Sequence, residues 1–356
     1  MKQSRSYFAP TRFADIKPWQ ARLIFFALVI IIVWAIFCCG KSFPPDQAHS
    51  STSGKDADIF RSIIERVHAG QDYYKVVGSE LRARGYATRP FFNFRLPLLA
   101  FFIGNLPSPE MGRWLLILLT LLTLAMWVRV LAKKGGFYMA LFGALLLLGT
   151  TVSSYTDVAF LFHGMWAGVL IALSIAAYED NRLLSVTSGL MALFIRELSL
   201  PFAVIMLIMA YKNKHPKEVA AWLIGIFAFF LYLAIHAKIV SGLVTESDVI
   251  NKTWIQFGGW QFVLSTARWT LLTFFSPGWV NAILLPLALL GLWGWRGDVG
   301  TRTALTMAAY IFAFLIVGRP DNYYWGLMYA PLMPLGLIQA PPCLVDLYKA
   351  AFRIST

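Results

Sequence analysis

Two carboxylates two residues apart, Asp56 and Asp58, open the stretch DADIFRSIIERVHAG. A carboxylate at the start of a helix has two uses. It can cap the exposed amides and meet the positive end of the helix dipole, or it can take the proton of a hydroxyl as a general base. A cap requires one acid, so the pair is read as a candidate base, with one of the two facing a pocket. A tyrosine pair, Tyr73 and Tyr74, follows, and then the spaced arginines Arg89 and Arg95 of RPFFNFRLP. Farther on, Arg196 and Glu197 interrupt the apolar run FIRELSLPF. Charges there either pair with each other or face an aqueous cavity. Arg319 and Asp321 stand beside Tyr323, Tyr324 and Trp325, three rings that an aromatic belt at a membrane surface would also explain. His163 and His236 lie near helix ends, where a lone histidine serves packing more often than metal ligation. His163 is retained as a substrate-contacting candidate.

The elements that must hold these residues are mostly apolar. Hydrophobic residues form 58% of the 356 and charged residues 14%, with a mean hydropathy of +0.63, which excludes a water-soluble globular domain. Crossing a bilayer takes roughly 20 apolar residues. Runs of that kind are predicted near 22–39, 111–132, 137–153, 158–177, 183–196, 199–211, 218–237, 271–294, 303–318 and 325–345. The expectation is therefore an all-α polytopic membrane protein of about ten spans, within a range of roughly nine to twelve, forming one membrane-embedded domain over 1–356. The first run lacks an A-x-A-like site and is read as a retained span. Three cysteines make no disulfide framework.

The net charge of +13 is dispersed over short loops at every second junction, with no basic stripe, so nucleic acid is not an expected partner. By the excess of basic residues on cytoplasmic loops, both termini lie in the cytoplasm. Two longer stretches then lie outside, 41–110 and 238–270. In the first, Ile59, Ile63, Ile64 and Val67 recur at helical spacing until Gly70, and a second helix runs from Tyr73 to Arg84 and stops at Gly85. Both are predicted to lie on the membrane surface. The following RPFFNFRLPLLAFFIGNLP is expected in the interface, arginines towards headgroups and rings towards acyl chains. The second stretch contains Glu246, Asp248, an FGGW turn and the sequon Asn251-Lys252-Thr253.

This plan resembles the GT-C superfamily of polyprenyl-phosphate-dependent glycosyltransferases over nearly the whole chain. The likeness rests on Asp56 four residues before Phe60, then Gly70-Gln71-Asp72-Tyr73-Tyr74, then Arg89-Pro90 and Arg95-Leu96-Pro97 ahead of the second span. Two features depart from it: Phe60 stands where tyrosine is frequent, and there is no long soluble C-terminal domain. The resemblance implies transfer of a sugar from a polyprenyl-phosphate donor to an acceptor hydroxyl of a glycan, lipid or protein. The expected setting is the periplasmic face of a bacterial inner membrane. It puts the catalytic aspartate on Asp56, with Asp58 as second choice. Arg89, Arg95 and Arg319 are then candidates to stabilise the departing phosphate, and Arg196 and Glu197 to lie near the lipid phosphate. Asp321, Tyr73, Tyr74 and His163 complete the expected substrate contacts. No cofactor is expected; D-x-D could hold a divalent cation, but a monophosphate donor has less charge to neutralise. The alternative is a transporter or flippase of a lipid-linked or anionic substrate, and a third class is a non-catalytic scaffold.

Overall fold

The computed structural model describes residues 9–39, 53–250, 256–269 and 276–352. Residues 41–52 of the first long loop, the sequon at 251–253 and the start of the 271–294 run lie outside the described residues. Among the described residues the secondary structure is helical, apart from one isolated parallel bridge between Arg89 and Ile250. Among the described residues, five helices are long and apolar enough to cross a membrane: Pro18–Cys39, Met111–Gly149, Pro216–Ser241, Gly297–Ile316 and Ala330–Phe352. The chain is a helical membrane protein.

The α-helices are numbered along the chain. They are α1 (Pro18–Cys39), α2 (Ser53–His68), α3 (Tyr73–Ala83), α4 (Leu98–Gly104), α5 (Met111–Thr151), α6 (His163–Ala177) and α7 (Arg182–Ile195). Then come α8 (Leu200–Lys212), α9 (Pro216–Ser241), α10 (Gly259–Thr266), α11 (Gly278–Gly294), α12 (Gly297–Ile316) and α13 (Met333–Phe352). Helix α1 buries only Ala21, Leu28 and Ala35, a stripe of period seven by which it leans on α11 and α13. Trp19, Phe26, Ile30 and Phe37 project outward from it.

A straight helix of α5's length would extend about 60 Å, twice the hydrocarbon thickness. Gly136 prevents that. Its φ of 76° interrupts the helix, and Gly143 comes back to pack on the Leu131 side chain. The element is thus a hairpin of two antiparallel arms, matching the separate runs predicted at 111–132 and 137–153.

Successive helix ends alternate between the two ends of the bundle, and the charged loops sort with them. At one end Arg129 pairs with Asp180 (3.0 Å), Lys134 with Glu179 (2.9 Å) and Asn213 with Asp298 (2.7 Å). At the other, Arg61 pairs with Glu110 (3.2 Å) and Arg82 with Asp248 (2.7 Å).

The surface helices differ from expectation. The apolar residues of α2, Ile59, Ile63, Ile64 and Val67, are buried against α3 and α4, so protein covers this face. An amphipathic stripe reads the same in sequence whichever apolar medium covers it. Likewise Phe94 is buried, and Arg95 turns into the protein where a headgroup contact was expected.

Candidate functional site

The first loop is shaped by two helix stops built alike. At the end of α2, Gly70 has φ 82°, its amide donates to the Val67 carbonyl, and the Gln71 amide donates to that of Arg66. At the end of α3, Gly85 has φ 71°, its amide donates to Arg82, and the Tyr86 amide donates to Leu81. Both are Schellman closures, in which the left-handed residue sends the chain back over its own helix. The second one aims Tyr86 at α2. The Tyr86 hydroxyl donates to Asp56 Oδ1 at 2.8 Å.

Asp56 belongs to the first turn of a helix that begins at Ser53, so it lies inside the helix, one turn past the cap position expected for it. It is buried, whereas Asp58 is exposed, a consequence of two positions being about 200° apart round a helix. The D-x-D pair therefore does not offer two carboxylates to one ion. Burial pushes the Asp56 carboxyl above its ordinary range; the Tyr86 hydrogen bond and the charge of Arg95 act against this, and Asp321 acts with it.

Asp56 faces a cavity of about 470 Å³. Its apolar wall is Ile59, Phe60, Ile63 and Ile64 of α2 with Val77 and Leu81 of α3, and its polar wall collects Tyr73, Arg84, Tyr86, Arg95, Arg319, Asp321, Asn322 and Tyr324. Four distant stretches meet here. Arg95 lies deep, with part of its surface open to the cavity; Nη2 donates to the Tyr324 hydroxyl at 2.9 Å, and the Tyr73 hydroxyl holds its carbonyl at 2.6 Å. No carboxylate among the described residues is within ion-pair distance of it. Arg319 does have such a partner, because its Nε and Nη2 both reach Asp321, at 3.2 and 2.9 Å. Arg84 is tied to Glu80 at 3.1 Å. His163 is buried in the same wall beside Phe60, and neither ring nitrogen makes a hydrogen bond of normal geometry.

No protein-family model, curated protein or solved structure matches this chain.

Of the residues singled out from sequence, Asp56, Tyr73, Arg95, His163, Arg319 and Asp321 share the cavity. The others do not line it. Arg89 donates to the Thr245 carbonyl at 3.0 Å, and the Tyr74 hydroxyl is 3.2 Å from His236 Nδ1. Arg196 and Glu197 pair at 3.3 Å behind the cavity, where both of their charges act on Arg95 or are acted on by it. Tyr86, Asn322 and Tyr324 were not among those candidates. Gly85 reads as a helix stop from sequence, but that its closure carries the next side chain back to Asp56 depends on how α3 packs on α2. Tyr324 was absorbed into an aromatic belt.

The second loop braces the first. Both Arg82 nitrogens that reach Asp248 do so at 2.7 Å, and Nη2 also donates to the Leu243 carbonyl. The Arg82 hydrogen bonds hold the Asp248 carboxyl well below the usual range.

Proposed function

We propose that the chain is an inverting glycosyltransferase that moves a sugar from a polyprenyl-phosphate carrier to an acceptor hydroxyl, with the architecture of a GT-C enzyme. The observation that carries this is the sharing of one cavity by a buried carboxylate, Asp56, and a guanidinium without a carboxylate partner, Arg95. A volume of about 470 Å³ is within the range of small-ligand sites and accommodates a sugar with its phosphate. Asp56 Oδ1 is held by Tyr86, and Oδ2 is directed to an acceptor hydroxyl. As the hydroxyl oxygen attacks the anomeric carbon, its proton passes to Oδ2. The bond from that carbon to the phosphate oxygen breaks, and the electron pair leaves on the phosphate. Arg95 stabilises the charge that gathers there. His163, Asn322 and Tyr324 supply hydrogen-bonding groups for sugar hydroxyls.

In this reading the two arms of α5 and the shorter apolar helices also cross the membrane, making about ten spans. Both termini are cytoplasmic, and the cavity opens to the periplasmic side of a bacterial inner membrane. No metal takes part.

The test is transfer by the purified protein in lipid nanodiscs, offered a panel of polyprenyl-phosphate sugars and assayed for released polyprenyl phosphate. Asp56→Asn should lower turnover by about 10²–10⁴-fold while polyprenyl phosphate still binds, and Asp58→Asn should not lower it. Transfer retained by Asp56→Asn would remove Asp56 as the base. Unimpaired function of both variants would favour a transporter or a scaffold.

A further inference from the structure

Of the three arginines that line the cavity, Arg95 and Arg319 are in different states, and the reaction proposed above gives that difference a use. A polyprenyl-phosphate sugar is a phosphodiester with one negative charge. When the bond to the anomeric carbon breaks, the leaving group becomes a monoester, whose second ionisation is near pH 6, so a second charge appears on it. Over the same step Asp56 accepts a proton and loses its own charge. One unit of negative charge therefore crosses the cavity from Asp56 to the phosphate. A cation that follows it stabilises the transition state and product more than the bound donor, which is the condition for lowering a barrier.

Arg95, without a carboxylate partner, matches the single charge of the donor. Arg319 is already engaged. Two of its nitrogens face the two oxygens of Asp321, a fork-to-fork contact between residues two apart in the chain. The pair is at the cavity wall with 22% and 42% of the side chains accessible, so it is neither locked by packing nor strong. A phosphate monoester presents the same planar pair of oxygens to a guanidinium as a carboxylate does.

We infer that Asp321 is a placeholder for the second charge of the leaving phosphate, holding Arg319 in reserve until that charge develops and then yielding it. Asp321 is thus a positioning residue acting through Arg319, and the exchange makes the site selective for a phosphate monoester over a diester. This rests on the glycosyl-transfer reading of the cavity.

The experiment measures binding of three isoprenyl probes to the protein in nanodiscs above the second phosphate pKa: the monophosphate, its methyl diester and the free alcohol. The wild-type protein should prefer monophosphate to diester by about tenfold. Arg319→Gln should bring the two within about twofold and leave diester binding nearly unchanged, and Arg319→Lys should restore part of the preference. Asp321→Asn should tighten the monophosphate severalfold by freeing Arg319. A preference that survives Arg319→Gln, or an Asp321→Asn variant that binds the monophosphate no tighter, overturns the placeholder role and leaves the transfer reading standing. If the wild-type protein binds neither phosphate better than the alcohol, the phosphate reading of the cavity fails, and the placeholder with it.

Discussion

Arg95 and Arg302 lie near opposite ends of the bundle, and the two are housed differently. Arg95 borders a void, keeps part of its surface open to it and is held by a single tyrosine hydroxyl. Arg302, on α12, is fully enclosed: its guanidinium lies 3.5 Å from the centre of the Tyr178 ring and 3.6 Å from Asp298, and buried Glu218 on α9 adds a further charge. Both are charges that the chain brought out of water, so burial of charge is not in itself a mark of chemistry. The mark is empty space beside the charge, together with a partner that can be exchanged. At the Arg302 end the guanidinium is enclosed against a ring face and leaves no accessible surface for a ligand to reach.

Three substitutions test whether the two arginines differ in this way. The largest effect is expected from Arg95→Gln, which should reduce transfer by about 10²-fold or more, with thermal stability close to that of the wild type. A variant that loses stability and keeps its turnover would make the two arginines alike. Arg302→Ala is the converse. It leaves Glu218 and Asp298 without their cation and removes the ring contact, at about 3 kcal/mol of stability; turnover per folded molecule and phosphate binding should stay unchanged, as followed by thermal unfolding beside the transfer assay. The smallest effect is expected from Tyr86→Phe, and it is best seen in the pH profile. Asp56 serves as a base only when ionised, so transfer falls as pH drops through its pKa, which stands above the ordinary value of 3.8. The Tyr86 hydroxyl favours the ionised form, so its removal should move the acid limb to still higher pH, with at most about a tenfold loss on that limb. An acid limb that stays in place would dissociate Tyr86 from the base.

The same raised pKa has a consequence for folding. A carboxyl with a raised folded pKa adds to stability below its unfolded value, and that contribution is lost as pH rises through the folded one. At neutral pH the charged Asp56 therefore weighs against the fold, and Asp56→Asn should be no less stable than the wild type.

Helices and their stops were legible because their causes are local. Gly70 and Gly85 end α2 and α3 where the spacing predicts, and the division of α5 follows the separate apolar runs at 111–132 and 137–153. What covers a helix was not legible. The Ile59, Ile63, Ile64 and Val67 stripe is satisfied equally by acyl chains or by α3 and α4. The choice between Asp56 and Asp58 depended on helix phase, which a start at Ser53 determines. Arg89 and Arg95 have like settings in sequence, yet one meets a loop carbonyl and the other enters the cavity, since only the second lies opposite Tyr324. That proximity is tertiary and leaves no trace in local spacing.

The contact between Arg95 and Tyr324 joins positions 229 residues apart. A ribosome delivers the chain from its N-terminal end, so Asp56, Tyr86 and Arg95 enter the membrane long before the segment carrying Arg319, Asp321 and Tyr324 exists. Through that interval Asp56 has its Tyr86 hydrogen bond, while Arg95 is without the Tyr324 hydroxyl. The cavity is thus completed last, and a nascent chain halted before its final helices holds the proposed base without the residues that share its cavity.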